Sequence, residues 1–107
     1  MMDKAKQKRL EAKGWKVGTA TDFLGLSAEE VRYIEMKLAL SEHLKRRRMR
    51  KKLTQEQLAK LMSSSQSRVA KMEAGDPSVS LDLLIRSLLT LGASEKDLAK
   101  VIAMAAG

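Results

Sequence analysis

Apolar residues recur at helical spacing along most of this chain, and the interruptions between stripes carry capping and turn residues. Val31, Ile34, Leu38, Ala39, Leu40 and Leu44 form the first stripe, one face of a 3.6-residue repeat. Ser27-Ala28-Glu29-Glu30 precedes it with capping-box spacing, where a hydroxyl and a carboxylate satisfy each other's free backbone N–H groups. A long helix is expected from there to about Lys52, with a break near Leu40 or Ser41 as an alternative. Thr54 is the next N-cap, with Gln57 three residues on, and Leu58, Leu61 and Met62 are expected on one face of a short helix. Ser63-Ser64-Ser65 has low helix preference and marks a turn. Gln66 to Ala74 predicts a second short helix, with Val69 and Met72 inward and Gly75 closing it. After the turn Asp76-Pro77-Ser78, Ser80 caps a helix holding Leu81, Leu84, Ile85, Leu88 and Leu91, stopped at Gly92. Ser94 to about Ala105 is the last helix, with Leu98, Val101 and Ile102 together. No strand and no internal repeat is indicated, so the fold expected is all-α.

Before Ser27 the pattern is weaker. Met1 to Lys16 is charged and nearly free of large apolar groups, apart from Leu10 and Trp15. It reads as a frayed helix or tail ending near Gly14. Val17 to Leu26 reads as a short turn or helix bringing Phe23 to the domain. Residues 1–26 are thus expected to be an N-terminal extension, partly flexible, and residues 27–107 the domain itself. Trp15, Phe23 and Tyr33 are expected to tether the extension, with a partner-binding surface as the alternative.

Composition narrows this picture. One domain fits 107 residues. Aromatics make up 3% while the hydrophobic fraction is 44%, so the core must be aliphatic. Met36, Met49, Met62 and Met72 are expected as core filler rather than as a cofactor box. There are no cysteines, which excludes disulfides and thiolate metal sites and fits a reducing, cytoplasmic setting. No apolar run approaches the roughly 20 residues needed to cross a bilayer, and Met1-Met2-Asp3-Lys4 is not followed by the apolar stretch of a secretory signal. His43 is the single histidine, so no metal site is expected. No nucleophile, base and orienter come together, so neither an enzyme nor a cofactor is expected.

The net charge of +8 is unevenly placed: Ala39 to Gly75 holds ten cations against three acids. Such a field attracts polyanions, of which nucleic acid is the commonest in a cell, although an anionic membrane surface would satisfy it equally. Arg46-Arg47-Arg48 and Arg50-Lys51-Lys52 invite the reading of a DNA-gripping run. Consecutive helical residues point about 100° apart, however, so six cations cannot all face one duplex. Most are expected to form a solvated face contributing long-range attraction.

A more specific signal is spacing. Counting from Gln55, Ala59 is fifth, Ser63 ninth, Val69 fifteenth and Met72 eighteenth. A small residue lies where two helices would cross, another in the turn, and apolar residues lock the second helix. A helix presented this way fits the major groove, which is about 12 Å wide. A plain helical hairpin would imitate part of the pattern.

The stretch LTQEQLAKLMSSSQSRVAKMEAGD resembles the Xre-family (lambda-repressor-like, Cro/CI-type) helix-turn-helix proteins, from about Leu40 to Leu91. Ser63 stands where that family usually has Gly. The segment GWKVGTATDFLGLSAEE, with the small size, looks like the HigA-like branch, whose members act as antitoxins and repress their own promoters. The resemblance implies a bundle of about five helices with its core in 40–91 that binds double-stranded DNA as a homodimer and represses transcription. The alternative it implies is an antitoxin that neutralises a partner toxin protein and represses its own operon. A sequence-blind nucleoid or RNA-binding protein is a third reading. The family pattern places Ser65, Gln66 and Ser67 at the start of the recognition helix. Gln66 is then suited to adenine, Lys71 to a base or a phosphate, and Arg68 to either. It places Thr54 and Gln55 at a phosphate. Arg48 matches the position that pairs with the recognition-helix glutamate, here Glu73. A solvated helix cap is the plain alternative for Gln66 and Ser67, and an ordinary surface cation for Lys71.

Overall fold

Ser27 begins the first helix because its Oγ accepts the otherwise unpaired N–H of Glu30 at 3.1 Å. In the computed structural model, which describes residues 27–105, α1 (Ala28–Arg50) runs unbroken for 23 residues, about 34 Å. Glu29 and Glu30 lie in its first turn and Arg47, Arg48 and Arg50 in its last, signs that complement the helix dipole. The break expected as an alternative near Leu40 or Ser41 does not occur. That region contains no Gly or Pro to force one, and Ser41 is buried on the inner face beside Leu40 and Leu44. The helix stops at Arg50 rather than Lys52. Lys51 caps it, and Lys52 turns left-handed with φ of 57°.

Four shorter helices follow: α2 (Gln55–Leu61), α3 (Gln66–Ala74), α4 (Leu81–Thr90) and α5 (Glu95–Ala105). The described residues are all helix and connection, with no strand. Ser80 caps α4 by accepting from Leu83 N at 3.1 Å. Asp76 holds the preceding turn, its Oδ1 accepting from Ser78 N at 2.8 Å and Ser78 Oγ at 2.6 Å. Those bonds hold the Asp76 carboxyl below the usual carboxylate range. Ser94 and Asp97 close a reciprocal cap on α5, with Ser94 N donating to Oδ2 at 2.9 Å and Asp97 N to Ser94 Oγ at 3.1 Å.

The long helix is the spine of the bundle, packing against α3, α4 and α5, while α2 packs on α3. The central core joins Leu40, Leu44, Leu58, Ala59, Val69, Met72, Leu84, Leu88 and Val101. It is aliphatic throughout. Met72 is fully buried, yet Met49 is 58% exposed and Met36 and Met62 are only half-buried, so core filling describes one of the four methionines fully. Leu61 also departs from expectation, at 59% exposed. A two-turn helix has one narrow inner face, and Leu58 with Ala59 takes it. Lys37 is buried on α1, its ammonium 5.6 Å from the Tyr33 ring centroid. Burial lowers its pKa, against an opposing pull from Asp76. Trp15 and Phe23 lie outside the described residues.

His43 sits on α1 with a buried Nε2 that has no hydrogen-bond partner. Burial lowers its pKa, and Arg47, Arg46 and Arg50 lower it further, with Asp97 opposing. The unfolded chain therefore holds this proton to higher pH than the folded chain does. Stability is fully present above about pH 6.5 and falls as pH drops through the folded value. The depressed carboxyls Asp76 and Asp97 act separately, below about pH 4. Melting temperature followed from pH 7.5 to 5 should decline in wild type and stay flatter in His43→Gln. Parallel curves for the two proteins would remove His43 as the cause.

Candidate nucleic-acid interface

The helix pair α2–α3 is fixed at each end by side chains already visible in the sequence. Thr54 Oγ1 accepts from Gln57 N at 3.1 Å while Gln57 Oε1 accepts from Thr54 N at 2.8 Å, a complete capping box. Four residues separate α2 from α3. Within them Ser64 N donates back to Ala59 O at 2.8 Å. Ser63 adopts φ of 52°, the left-handed conformation that costs a side-chain-bearing residue roughly 1–2 kcal/mol. Ser65 then caps α3, its Oγ accepting from Arg68 N at 3.2 Å. Gly75 ends α3 in the left-handed region at φ of 73°. Leu58, Ala59, Val69 and Met72 are buried together, so the two helices pack as one unit.

What α3 leaves outside is polar. Gln66, Ser67, Arg68 and Lys71 are exposed, as are Thr54 and Ser65, while Gln55 is half-buried. Ser65 Oγ and Ser67 Oγ lie 3.3 Å apart. Beside this face runs a groove of about 580 Å³, shared by Ser67, Arg68 and Lys71 with Ser78, Ser80 and Arg86. The last three were not anticipated. They lie on the α3–α4 connection and on α4, and nothing in their local pattern separates them from ordinary surface residues.

Beneath the exposed turn lies a relay of polar contacts. Arg48 grips Glu73 through two nitrogens, Nε to Oε2 at 2.5 Å and Nη2 to Oε1 at 3.0 Å. Its Nη1 donates to Leu53 O at 2.6 Å. The side chains of Arg48 and Glu73 are only 12% and 3% exposed, and the bond to Glu73 raises the Arg48 pKa further. Gln55 Nε2 donates to Glu73 Oε1 at 3.1 Å, and Gln66 Nε2 donates to Gln55 Oε1 at 2.6 Å. The order is chemically forced. A carboxylate only accepts, so Gln55 must offer its amide nitrogen to Glu73, which leaves its oxygen for the nitrogen of Gln66. Gln66 is left with one N–H and its carbonyl oxygen directed elsewhere. Gln55 thus does more than stand at a helix start: it ties α2 to both ends of α3.

The basic run divides as the helix geometry requires. Arg48 turns toward α3, and its neighbour Arg47 donates from Nη2 to Asp97 Oδ2 on α5 at 3.1 Å. Arg47 is therefore an inward tie, not part of the solvated face expected for it. Arg46, Arg50, Lys51 and Lys52 are exposed. Among the described residues, no group of histidine and acidic side chains could hold a metal ion. No helix there is long and apolar enough to cross a membrane.

Two short helices packed on each other across a four-residue turn, the second with a polar outer face, make this a helix-turn-helix unit on a bundle scaffold. A family model described as a helix-turn-helix domain matches residues 39–101, more than half of the chain. The chain belongs to that family and is a DNA-binding regulator of this class. No curated protein and no solved structure matches it.

Two outcomes follow from this geometry. Ser63→Gly should relieve the left-handed strain and raise stability by about 0.5–1 kcal/mol, read as a Tm increase of a few degrees. An unchanged or lower Tm would mean that the serine side chain contributes more than its backbone costs. Arg48→Ala or Glu73→Ala leaves a largely buried partner uncompensated and should cost about 2–3 kcal/mol. A double-mutant cycle in urea measures their coupling. Zero coupling would reassign Arg48 to the surface.

Proposed function

We propose that this protein is a sequence-specific double-stranded DNA-binding transcriptional repressor, working as a homodimer with Gln66–Ala74 as its recognition helix. The observation that carries the reading is the relay ending at Gln66. Adenine presents N7 as acceptor and the N6 amino group as donor in the major groove. The N–H and the carbonyl oxygen that Gln66 retains are the complementary pair. Holding the amide in place beforehand reduces the rotamer entropy lost on binding.

Ser67, on the same exposed turn, reaches base edges. Arg68 and Lys71 reach a base or a phosphate across the adjoining groove, with Arg86, Ser78 and Ser80 on its far wall. Thr54, Ser65 and the second amide N–H of Gln55 take phosphate oxygens. One recognition helix contacts only a few base pairs, and two-fold pairing over half-sites roughly 34 Å apart multiplies both affinity and specificity. In this reading residues 27–107 are the DNA-binding domain, residues 1–26 an extension, and the protein acts in the cytoplasm where the chromosome is. An antitoxin role rests on resemblance in a segment mostly outside the described residues, and no observed contact favours it.

Footprinting on the promoter of the protein's own gene, followed by titration of the protected duplex in increasing salt, tests the reading. About 4 to 8 phosphate contacts per dimer predict a slope of log K against log salt near −4 to −7. Gln66→Ala should lose preference at one or two base pairs per half-site, about 1–3 kcal/mol for each contact. Lys71→Ala should weaken all duplexes alike. A slope shallower than about −2, or full operator preference in Gln66→Ala, would refute the assignment.

A further inference from the structure

A second groove, of about 520 Å³, lies between α1 and α5 and shares no lining residue with the one beside α3. Its floor is apolar, built from Leu38, Ala39, Val101, Met104 and Ala105. Met104 is 75% exposed, an unusual position for a large apolar side chain beside a depression already lined with apolar atoms. The rim carries both signs. Glu35, Glu42 and Asp97 stand with Arg46, Arg50 and Lys100 around the floor, with His43 among them. Asp97 is engaged by Arg47, whereas Glu42, Arg46, Arg50 and Lys100 enter no ion pair among the described residues.

That charge pattern distinguishes the possible occupants. The groove beside α3 brings Arg68, Lys71 and Arg86 against the single acid Asp82, as suits a polyanion. A rim carrying acids and bases together gives a polyanion little net attraction. With both signs on one rim the patch has charges to set against its own copy, which is what an isologous two-fold contact requires, because the same patch must meet itself. Rotating a second copy by 180° can set the carboxylate of one rim against the cations of the other while the two apolar floors close.

We infer that two copies of this chain pair through the α1–α5 groove, with Met104 of each covering the apolar floor of the other. The inference deepens the homodimer reading given above, but pairing itself requires no DNA.

The test is sedimentation equilibrium of the full chain without DNA. Wild type should self-associate reversibly. Met104→Glu buries a charge in the contact and should raise the dimer dissociation constant by about 30-fold or more. Lys100→Glu should weaken pairing less, through repulsion at the rim. Leu89→Glu, at an exposed apolar position on α4 outside the groove, should pair as wild type does. All three positions are exposed, so in protein dilute enough to be monomeric their melting temperatures should match wild type. Methyl-labelled methionine adds a direct readout. The Met104 signal should broaden with a soluble nitroxide in dilute protein and be shielded in concentrated protein. A wild type that stays monomeric, a Met104→Glu variant that pairs normally, or a Leu89→Glu variant that is equally impaired would each overturn the inference. So would shielding of Met104 at every concentration in a monomer, which would mean that the chain covers its own groove. A protein that pairs this way yet binds no duplex would refute the DNA reading and leave this one intact.

Discussion

The Glu73 carboxylate is the group on which the geometry of the helix-turn-helix depends. It is nearly inaccessible to water, and a buried charge is tolerated only when opposite charge and hydrogen bonds replace its hydration. Arg48 supplies two of those bonds from α1 and Gln55 a third from α2. Each partner comes from a different helix. Satisfying one carboxylate on α3 therefore fixes the placement of all three elements together. Apolar packing through Val69 and Met72 holds α3 down, but such contacts are non-directional. The polar contacts, with narrow distance and angle tolerances, set its rotation and register.

The same charge directs chemistry outward. Because the carboxylate can only accept, the amide of Gln55 has one usable orientation, and so in turn does that of Gln66. An exposed glutamine on a free helix would sample several rotamers and both amide orientations. Here a group buried on one side of α3 decides which hydrogen-bonding face is offered on the other. If Gln66 reads a base as proposed, stability and recognition share this constraint, and a substitution in the relay acts on both. Measuring folding and binding separately is the only way to apportion its effect.

Much of this was legible in the sequence, for identifiable reasons. Ser27, Thr54, Ser65 and Ser80 begin helices because a short side-chain oxygen can reach a free N–H two or three residues on, a purely local event. The all-α fold and the order of helices follow from these caps and from stripes such as Ile34, Leu38 and Leu44. Legibility fails where position in space decides. Leu61 looked inward because seven residues give too short a stripe to orient, and packing against α3 chose Ala59 instead. The Gln55–Gln66 bond depends on two helix starts approaching each other, which no local pattern encodes. Arg47 and Asp97 are fifty residues apart, and inside a basic run Arg47 looked like its solvated neighbours. The end of α1 was misplaced because Lys52, neither Gly nor Asn, takes the left-handed turn.

Arg47 and Arg48 also explain how one helix serves two surfaces. Adjacent residues on α1 point about 100° apart, so one arginine ties α3 while the next ties the start of α5. The first contact supports the exposed turn, and the second holds Asp97, which lines the α1–α5 groove. Between them α1 is continuous, with no Gly or Pro to bend it. Its inner face is anchored by Leu38, Leu40 and Leu44, all at most 1% exposed. Because α3 and α5 both pack on this one continuous helix, α1 sets how the exposed turn and the groove lie relative to each other. For two copies joined through that groove, the separation and relative angle of their recognition helices would follow from the same element. Half-site spacing on the duplex would then be a property of α1 more than of any residue that touches a base.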